Sequence, residues 1–585
     1  MRFPSKEILI GDIALGGSNP IRLQSMTNAS IRDVKGSIEQ SKLIFDAGAD
    51  FVRLSVPNMK DVICLQEIKK GLARAGYTKP LIADIHFRPE IAMEAARIVE
   101  KVRINPGNYI DRTKLRKKTW DNKACLAELE KLEKRLFPLI QVCKEYGTAI
   151  RVGTNAGSLS ERVVSMYGNT PEGMAQATLE FLMVFAHHGF DKLVVSLKSS
   201  NPLIMVQAYS RMARLMIKDN LSYPMHLGVT EAGDGVSGRI KSALGITTLL
   251  KAGIGDTIRV SLSENPEKEI PVAKEIAEKY NYQFTERSGE KPFIIPDFKI
   301  NSKTGKLPNN QNAIVISGEE YTFEATQKVA ADFYICRQDN KALPKELEHK
   351  IPLLTDAEGN QFKIHTVSDI QNDGKKSDEF VFIYVKTLRE LNELVSIGLS
   401  DHAVIIEAGQ NFEKEFKNES LANYPMPVII RKKYNSENKN NLGINLASDF
   451  GDFLLKRDIQ GLWIECEGVS NNLIIEAIFS LYQASGVRIS KTEFISCPTC
   501  SRTSFDLQTL LKEVQSKLQD FPGLKIAVMG CVVNGPGEMA DADYGFIGAP
   551  GGKVILYKGS KPVIKNLPVE NAVDELIKLI ERENA

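Results

Sequence analysis

The sequence predicts an α/β protein built from three domains. In the first half of the chain, eight short β-branched runs alternate with amphipathic helical segments, an alternation typical of a parallel sheet. A linker rich in Lys, Gly, Pro and Asn separates this half from a second strand–helix alternation. Residues 488–585 then mix strands and helices around two cysteine-bearing turns. A chain of 585 residues is also too long for a single core.

The first domain is predicted to be a (β/α)8 TIM barrel over residues 1–285. Its eight strands are expected at residues 20–26, 51–56, 81–86, 101–105, 149–153, 192–197, 225–229 and 256–262. Consecutive strand–helix units of this number close into a barrel, and in such barrels the chemistry lies at the carboxyl ends of the strands. Site residues are therefore expected at the ends of these runs.

The central domain, residues 286–487, is predicted to be an insert. It begins with the linker at 286–310 and continues as a second α/β unit, for which a degenerate barrel is one form. No motif of convergent ionisable residues stands out in it, so the prediction is a spacer or interface role. The third domain, residues 488–585, is predicted to be a small α+β unit whose first two strands each lead into a cysteine-bearing turn. The two turns can therefore lie side by side.

Charge and composition exclude several classes of protein. The net charge is only +2, which argues against a nucleic-acid or membrane partner. The N-terminal residues contain neither the apolar core of a signal peptide nor an amphipathic transit pattern. No apolar run reaches the ~18 residues that span a bilayer. A cytoplasmic location is the expectation.

Basic side chains recur on one face of the predicted barrel strands, because side chains two residues apart share a face. These cations are Arg53, Arg103, Arg151, Lys198 and Arg259. Any one of them is most simply a solvated or ion-paired strand end. Together, at matching positions in a partly dry mouth, they would repel one another unless an anion completed them. Arginine forks suit phosphate oxygens, so the pattern favours a phosphate or diphosphate ligand over a neutral sugar.

Two further polar side chains near the predicted mouth are ambiguous. Glu231 follows the seventh strand, where a carboxylate among cations is either a salt-bridge partner or an acid–base group. His86 lies at the end of the third strand, and a structural histidine explains it at least as well as a catalytic one. The residues alone do not choose between these roles.

Three of the eight cysteines lie in turns rich in glycine and proline. The other five occur singly in helical or strand-like patterns and are expected to be buried apolar residues. Cys497, Cys500 and Cys531 suit an iron–sulfur cluster, with a zinc ion or a set of structural thiols as the alternatives. A metal would need a fourth ligand, and Glu538 is a candidate seven residues after Cys531. Its carboxylate is a harder ligand than a thiolate.

Eight short motifs are shared with one known family. They are QSMTN at 24–28, VRLSVP at 52–57, ADIHF at 83–87, RINPG at 103–107, RVGTN at 151–155, LGVTEAG at 227–233, SCPTCSR at 496–502 and GCVVNGPGE at 530–538. In these motifs the chain resembles the 4-hydroxy-3-methylbut-2-enyl diphosphate synthases, the [4Fe–4S] enzymes of the methylerythritol phosphate pathway. The chain departs from the usual pattern at Ser501, where the family has glycine, and in its central insert. It therefore resembles the three-domain form of the family, which plants also have.

The resemblance implies an oxidoreductase of isoprenoid precursor synthesis. Its reaction is the reductive ring opening and dehydroxylation of 2-C-methyl-D-erythritol 2,4-cyclodiphosphate to 4-hydroxy-3-methylbut-2-enyl diphosphate, with two electrons. Glu231 would be the proton donor or charge partner during C–O cleavage. The ligands of a [4Fe–4S] cluster would be Cys497, Cys500, Cys531 and Glu538. The side chains that grip the diphosphate would be Arg53, Arg103, Arg151, Asn155, Lys198, Arg259 and Ser261, and further substrate contacts would be His86 and Asn534.

The resemblance also implies partners. Electrons would come from a ferredoxin or flavodoxin, since the cluster is the only cofactor that the residues justify. In two-domain relatives the cluster domain caps the barrel of a partner subunit, whereas this insert would allow capping within one chain. The expectation is therefore a monomer closed in cis or a homodimer. Two alternatives remain: a corrinoid- or pterin-dependent methyltransferase, whose mouth would carry Asn and Asp, and a non-enzymatic iron–sulfur sensor or electron carrier, which would leave the cations unexplained.

Overall fold

The structure is a computed structural model. It describes the chain from residue 2 to residue 584 except at 86–87, 111–119, 282–297, 299, 301–306, 308–312, 321–330, 337–352, 357–359, 374–379, 398, 400–401, 410–411, 413–420, 498–502, 504, 533–534 and 540–541. The chain forms two compact units. The first consists of Met1–Asp297 and Lys491–Ala585, and the second of Phe298–Ser490. The N-terminal barrel and the C-terminal domain thus belong to one unit.

The predicted N-terminal TIM barrel is confirmed. A short antiparallel hairpin, β1 (Ile8–Ile10) and β2 (Ile13–Leu15), precedes it. The barrel strands are β3 (Arg22–Met26), β4 (Phe51–Ser55), β5 (Leu81–Asp84), β6 (Lys101–Ile104), β7 (Ala149–Asn155), β8 (Leu193–Lys198), β9 (His226–Leu227) and β10 (Thr257–Ile258). They lie in the order β8-β7-β6-β5-β4-β3-β10-β9. A parallel bridge between Val195 and Met225 brings β8 beside β9 and completes the ring.

Helices surround this barrel at the positions where the sequence pattern changes its period. They are Val34–Asp46, Met59–Arg74, Pro89–Ala96, Pro106–Ile110, Asn122–Tyr146, Glu161–Tyr167, Pro171–His187, Pro202–Lys218, Gly235–Lys251 and Glu269–Asn281. Two of them show why they begin where they do: the side chains of Thr170 and Asn201 accept backbone N–H groups of the first turn, and proline follows each. The polar cap and the preset proline φ together fix the helix start.

The amino end of the barrel has an apolar floor. The β1–β2 hairpin, which the sequence did not predict, packs there against the first inward residues of several strands in a cluster of Ile8, Ile10, Leu15, Phe51, Ile82, Ala149 and Val194. Because inward side chains recur every second residue, Arg53 and Asp84 lie one layer above Phe51 and Ile82. The polar part of the lumen therefore opens toward the carboxyl ends of the strands.

The second unit is a closed barrel, which confirms the predicted degenerate barrel. Its strands are β11 (Ile314–Glu320), β12 (Phe333–Cys336), β13 (Leu353–Asp356), β14 (Gln361–Thr366), β15 (Phe382–Val385), β16 (Ala403–Glu407), β17 (Val428–Tyr434) and β18 (Gly461–Cys466). β13 is antiparallel to both neighbours. The sequence did not predict β13 or β14. Its helices include Val367–Asp373, Leu388–Ile397, Leu442–Lys456 and Asn471–Ser485.

The C-terminal domain is the predicted small α+β unit. Its strands are β19 (Glu493–Ser496), β20 (Lys525–Met529), β21 (Tyr544–Ala549), β22 (Lys553–Lys558) and β23 (Lys561–Pro568), in that order in the sheet. The first three are parallel, and the last two add antiparallel. The helices are Leu507–Leu518, Gly535–Glu538 and Ala572–Asn584. None of the helices in the described parts of the chain is both long and apolar enough to cross a membrane.

Candidate active site

The lumen of the first barrel collects the predicted cations. Arg53, Arg103 and Arg151 lie on β4, β6 and β7, Lys198 ends β8, and Arg259 follows β10. All five side chains are buried; Arg53 is the most accessible of them, at 7 %. Burial, and then the charges of the four arginines, lower the pKa of Lys198 well below its usual value. These five basic groups therefore share one low-dielectric space.

Arg103 is oriented by neighbouring strands. Its Nη1 donates to Asp84 Oδ1 at 3.1 Å, and its Nη2 donates to Gly153 O at 2.9 Å and to Asn155 Oδ1 at 3.3 Å. Position 153 must be glycine for this arrangement, because a Cβ there would lie 2.4 Å from Arg103 Nε. The guanidinium is thus held across the lumen beside Asn155, another predicted substrate contact.

Arg259 already has a carboxylate partner. Its Nε and Nη2 donate to the two carboxylate oxygens of Glu269 at 3.1 and 3.0 Å. Glu269 is almost fully buried, and Ser25 Oγ donates to it at 2.6 Å. The ion-paired alternative for a strand-end arginine therefore describes Arg259, and its Nη1, which faces Met26 Sδ at 3.8 Å, is the edge left for a substrate oxygen. Ser261, predicted to act with Arg259, is buried two residues further on.

Arg151, in contrast to Arg259, is incompletely paired. It is 1 % exposed, and its Nε and Nη1 have no hydrogen-bond partner among the described residues. Burial, followed by the charges of Arg53 and Arg103, lowers its pKa. An incompletely paired buried ion costs several kcal/mol, as an order of magnitude. An anion in the lumen would offset that cost.

Arg53 donates to a weak acceptor, and a phosphate oxygen would be a stronger one. Its Nε and Nη2 lie 3.2 and 3.0 Å from the thioether sulfur of Met26, on the neighbouring strand β3. A thioether is a weak acceptor, whereas a phosphate oxygen accepts a charge-assisted bond from the same fork. Both donor atoms are therefore directed into the lumen at a position that suits a phosphate.

Glu231 lies on a strained loop at the carboxyl end of β9. Its φ of 50° is in the left-handed region, which few non-glycine residues of the described chain occupy. The loop is fixed on one side by Thr230, whose N–H donates to Ser199 O at 3.1 Å. Glu231 itself is 4 % exposed. Such strain persists where the surroundings impose it and clusters at functional sites.

The two described thiols of the predicted cluster follow adjacent parallel strands. Cys497 comes directly after β19, and Cys531 comes two residues after the end of β20. Both are partly buried. The N–H of Gly530 donates to Cys497 Sγ at 3.2 Å. Amide donation to sulfur stabilises a thiolate and is typical of the surroundings of cluster ligands, so these two residues fit a metal or cluster.

Four of the predicted site residues lie wholly or partly outside the described structure. His86, Cys500 and Asn534 lie outside the described residues. Glu538 is the last residue of the short helix Gly535–Glu538, and its side chain is also outside the described part of the structure. The roles assigned to these four residues therefore stay predictions.

The thiol-bearing strand end pairs with the Glu231 loop. Ala232 forms a parallel bridge with Ser496, the residue before Cys497. Ser263, which follows the last barrel strand, shares a hydrogen bond of 2.6 Å with Ser496 through the two hydroxyl groups. Its hydroxyl also donates to the carbonyl oxygen of Cys497 at 3.5 Å. Within this one chain, Glu231 and Cys497 therefore lie on segments that are in direct contact.

A second contact joins the barrel to the other thiol-bearing turn. Gly157, in the loop after β7, and Gly537, in the helix after Cys531, approach so closely that a Cβ on Gly157 would lie 2.1 Å from the carbonyl carbon of Gly537. A partly buried ion pair between Lys241 and Glu493, at 3.1 Å, supports the same interface. The strand end that carries Cys497 and the helix Gly535–Glu538 are thus held over the carboxyl ends of the barrel strands.

The second barrel has a group of charges near the carboxyl ends of its strands, which the sequence pattern did not reveal. Arg431 lies between Glu407 at 3.3 Å and Glu465 at 2.9 Å, and its guanidinium stacks over Trp463 at 4.4 Å. Tyr384 donates to Glu407 at 2.5 Å. Because these charges compensate one another, this group does not require a bound anion as the first lumen does.

One other set of side chains in the described part of the chain could hold a metal ion. It consists of Glu133 and His187 on two outer helices of the first barrel and of His188, which directly follows His187. Nε2 of His188 lies 2.9 Å from Glu133 Oε1, and His187 is largely exposed. A hydrogen-bonded pair with an exposed neighbour accounts for this geometry, so we assign no metal to it.

Two inward-facing residues of the lumen were missed from the sequence. Lys101 precedes Arg103 by two residues on β6, and His226 lies on β9; both are 0 % exposed. The period of two that places Arg103 on the inward face of its strand also places Lys101 there. The local alternation of the strand is thus a sufficient signal for Lys101.

Two family models match the chain. The GcpE TIM-barrel domain matches residues 5–274, and the GcpE protein C-terminal domain matches residues 493–582. The matches coincide with the barrel that holds the cations and with the domain that carries Cys497 and Cys531. The central unit lies between them.

Curated relatives match almost the whole chain. Proteins of Parabacteroides distasonis and Phocaeicola vulgatus are each 40% identical, over 98% and 99% of this chain and 97% of their own length. A protein of Leptospira interrogans is 36% identical over 99% of this chain and 96% of its own. All three are named 4-hydroxy-3-methylbut-2-en-1-yl diphosphate synthase (flavodoxin). With both family domains present around a cationic barrel lumen and a pair of thiol-bearing strand ends, the chain belongs to the GcpE family.

Proposed function

We propose that this chain converts 2-C-methyl-D-erythritol 2,4-cyclodiphosphate to 4-hydroxy-3-methylbut-2-enyl diphosphate. Two electrons and two protons enter, a ring C–O bond breaks and a hydroxyl group leaves as water. The observation that carries the proposal is the bridge between Ala232 and Ser496, which joins the barrel loop of Glu231 to the strand end of Cys497. The name shared by the curated relatives supports the same reaction.

The barrel lumen would bind the diphosphate. Arg151 and Lys198 have no ion pair in the described part of the chain, and Arg53 directs two N–H groups at a weak sulfur acceptor. Phosphate oxygens would give these groups strong, charge-assisted acceptors. The methyltransferase and electron-carrier alternatives would leave the buried cations without a ligand, so neither is favoured.

The cofactor would be a [4Fe–4S] cluster held by Cys497, Cys500, Cys531 and Glu538. The described members of this set fit, since Cys497 and Cys531 follow adjacent strands and Cys497 accepts an amide hydrogen bond. When bound, such a cluster supplies the electrons for the reduction. The protein's own contribution is to bring the strand end of Cys497 and the helix after Cys531 to the barrel mouth.

Glu231 would hold the proton needed for C–O cleavage. Its carboxyl group is buried on a strained loop that is bridged to the thiol-bearing strand. A leaving oxygen needs a proton in the transition state, and a positioned carboxyl group is a suitable general acid. The surrounding cations would hold the substrate so that this group faces the bond that breaks.

Flavodoxin is the proposed electron donor, because the relatives carry it in their names; ferredoxin is the alternative. The direct test uses the full chain, purified without oxygen, with the cyclodiphosphate and either reduced flavodoxin or reduced ferredoxin. We expect a brown, iron-containing protein that forms the linear diphosphate with reduced flavodoxin. A colourless zinc protein without turnover would refute the proposed function.

We further propose that the site closes in cis, with the central unit as a spacer. The contacts of Ala232 with Ser496 and of Gly157 with Gly537 all lie within one chain. A mixture of Glu231→Ala chains with Cys531→Ala chains is therefore expected to stay inactive, because every chain lacks one half of its own site. The measurement is turnover of the mixture against each variant alone. Substantial recovery of activity would instead show a site shared between chains.

Among the proposed ligands, Glu538 has the role that a single substitution tests most directly. Because a carboxylate binds a soft cluster less strongly than a thiolate, Glu538→Ala is expected to keep much of its iron and to lose most of its turnover, by roughly a hundredfold. Iron analysis and the visible spectrum of the anaerobic protein measure the iron content, and product formation measures the turnover. Cys531→Ala is the matched comparison and should lose both. Full activity of Glu538→Ala would overturn its assigned role.

A further inference from the structure

Lys101 is a buried amine that the proposed mechanism does not use. It begins β6 and is 0 % exposed. Its Nζ has no hydrogen-bond partner in the described chain and lies 4.5 Å from the centre of the Phe51 ring. Lysine is almost never fully buried unless it is paired, so this position is unusual.

The groups that face Lys101 are cationic, titratable or apolar. Arg53 on β4 and Arg151 on β7 both act on it electrostatically, and the charge of Lys101 is among those that lower the pKa of His226 on β9. The residues in register with it on β5 and β7 are Ile82 and Ala149, and the hairpin below is apolar. Among the described carboxylates none forms an ion pair with Lys101, and Asp84, one layer above, is bound to Arg103.

These surroundings disfavour the charged amine while the lumen is empty. Burial, and then the charges of Arg151 and Arg53, lower the pKa of Lys101 well below its usual value. A guanidinium cannot give up its proton at physiological pH, but an ammonium can. Lysine at this position therefore avoids the cost of another fixed charge in the empty lumen and can still become a cation.

We propose that Lys101 is a positioning residue for the anionic substrate: it is uncharged in the empty barrel and takes up a proton from solvent when the diphosphate enters the lumen. The inference rests on the proposed function, which supplies the anion. Strand geometry places Lys101 about 7 Å below Arg103 along β6. It would therefore act through its field and through Arg53 and Arg151 rather than by contact with substrate.

The pH dependence follows from this order of events. A diphosphate bound in the lumen above Lys101 raises the pKa of this amine above its value in the empty lumen. Affinity is then highest and constant below the empty-state pKa, and falls by up to tenfold per pH unit between the two values. Both phosphates of the cyclic substrate carry only a strongly acidic hydroxyl group, so the substrate itself does not titrate near neutral pH.

The test is calorimetric titration of the oxidised holoprotein with the cyclodiphosphate, without donor, in buffers of different ionisation heat. Wild type should take up protons on binding, and Lys101→Met should take up fewer, by as much as one per site. Lys198 and His226, whose pKa values burial also lowers, would account for the remainder. The affinity of Lys101→Met should correspondingly depend less on pH.

Two further variants make the result decisive. Lys79→Met is the matched control, because Lys79 also lies over a phenyl ring, 5.7 Å from the centre of Phe45, but is exposed and outside the lumen; its proton uptake should equal that of wild type. Lys101→Gln repeats the loss of the amine with a polar side chain. Equal proton uptake in wild type and both Lys101 variants would overturn the inference alone. Failure of wild type to bind the cyclodiphosphate would overturn the proposed function and the inference with it.

The ligand-free protein provides an independent readout. The pKa of Lys101 is lower in the folded chain than in the unfolded chain. Below the pKa of the unfolded chain, Lys101 therefore lowers the free energy of unfolding of wild type relative to Lys101→Met, and this loss is largest below the pKa of the folded chain. The melting temperature of Lys101→Met should therefore exceed that of wild type at neutral pH, and the difference should shrink as pH rises toward the usual pKa of lysine. A difference that does not vary with pH would contradict a neutral Lys101.

Discussion

Arg151→Met is expected to weaken binding of the cyclic diphosphate by about 30-fold to several thousand-fold, since removing one partner of a buried charged hydrogen bond costs about 2–5 kcal/mol. The same change should stabilise the ligand-free protein. Arg151 is 1 % exposed and two of its nitrogens have no hydrogen-bond partner in the described chain. Methionine fills a similar length without a charge to desolvate. Arg151 is therefore expected to lower the stability of the ligand-free protein and to raise its affinity for the diphosphate.

Two measurements check this prediction together. Calorimetry with the oxidised holoprotein gives the affinity, and thermal unfolding without ligand gives the stability, where a gain of 1 kcal/mol would appear as a rise of roughly 1–2 °C for a unit of this size. Arg211→Met is the matched control, because Arg211 lies on an outer helix and pairs with Glu172 at 2.5 Å in a half-exposed position. It should leave the affinity unchanged. Loss of both affinity and stability in Arg151→Met would show that the arginine is a structural residue.

The contrast between the two barrels supports this use of charge to locate a site. In the central barrel, Arg431 has two glutamate partners and an aromatic face. In the N-terminal barrel, Arg103 is paired with Asp84 and Arg259 with Glu269, whereas Arg151 and Lys198 have no carboxylate partner in the described chain. Both barrels present basic residues near the carboxyl ends of their strands, and the balance of charge, not the fold, indicates which one binds an anion.

The elements that could be predicted from the sequence are those whose signal is local. The eight strands of the first barrel were found because β-branched runs recur between helical segments with good caps, such as Thr170 and Asn201. The β1–β2 hairpin and strands β13 and β14 were not. The hairpin is only six strand residues long, and its position is fixed by packing against Phe51 and Val194. That contact joins distant parts of the chain and leaves no local pattern.

The candidate site divides in the same way. The inward period of two is enough to group Arg53, Arg103 and Arg151 on one face from the amino-acid sequence alone. Contacts that come from helices and loops could not be found by that rule. Glu269, the partner of Arg259, begins the last helix of the barrel and accepts from the guanidinium with both carboxylate oxygens. The approach of Gly157 to Gly537 joins backbones that lie far apart in the sequence, and neither glycine is distinguished locally from others in its turn.

Gly157→Ala is expected to lower turnover by at least about a hundredfold, because a displacement of about 1 Å at a reacting centre costs that much. A Cβ at position 157 would lie 2.1 Å from the carbonyl carbon of Gly537 and 2.2 Å from its oxygen. Both are backbone atoms, so no side-chain rotation relieves the overlap. The thiol-bearing turn would have to withdraw from the barrel mouth. Binding of the cyclodiphosphate and iron content should change little, since the lumen and the ligand set are intact.

Gly537→Ala tests the same contact from the other side, where the added Cβ would lie 2.0 Å from Gly157 O. If the defect arises from separation of the two surfaces, both variants should lose turnover to a similar degree, and combining them should add little because they break one contact. Gly409→Ala is the control, since its Cβ would meet no atom within 4 Å. Wild-type turnover in either interface variant would mean that catalysis does not need this approach, and the cis closure would then lose one of its two supporting contacts.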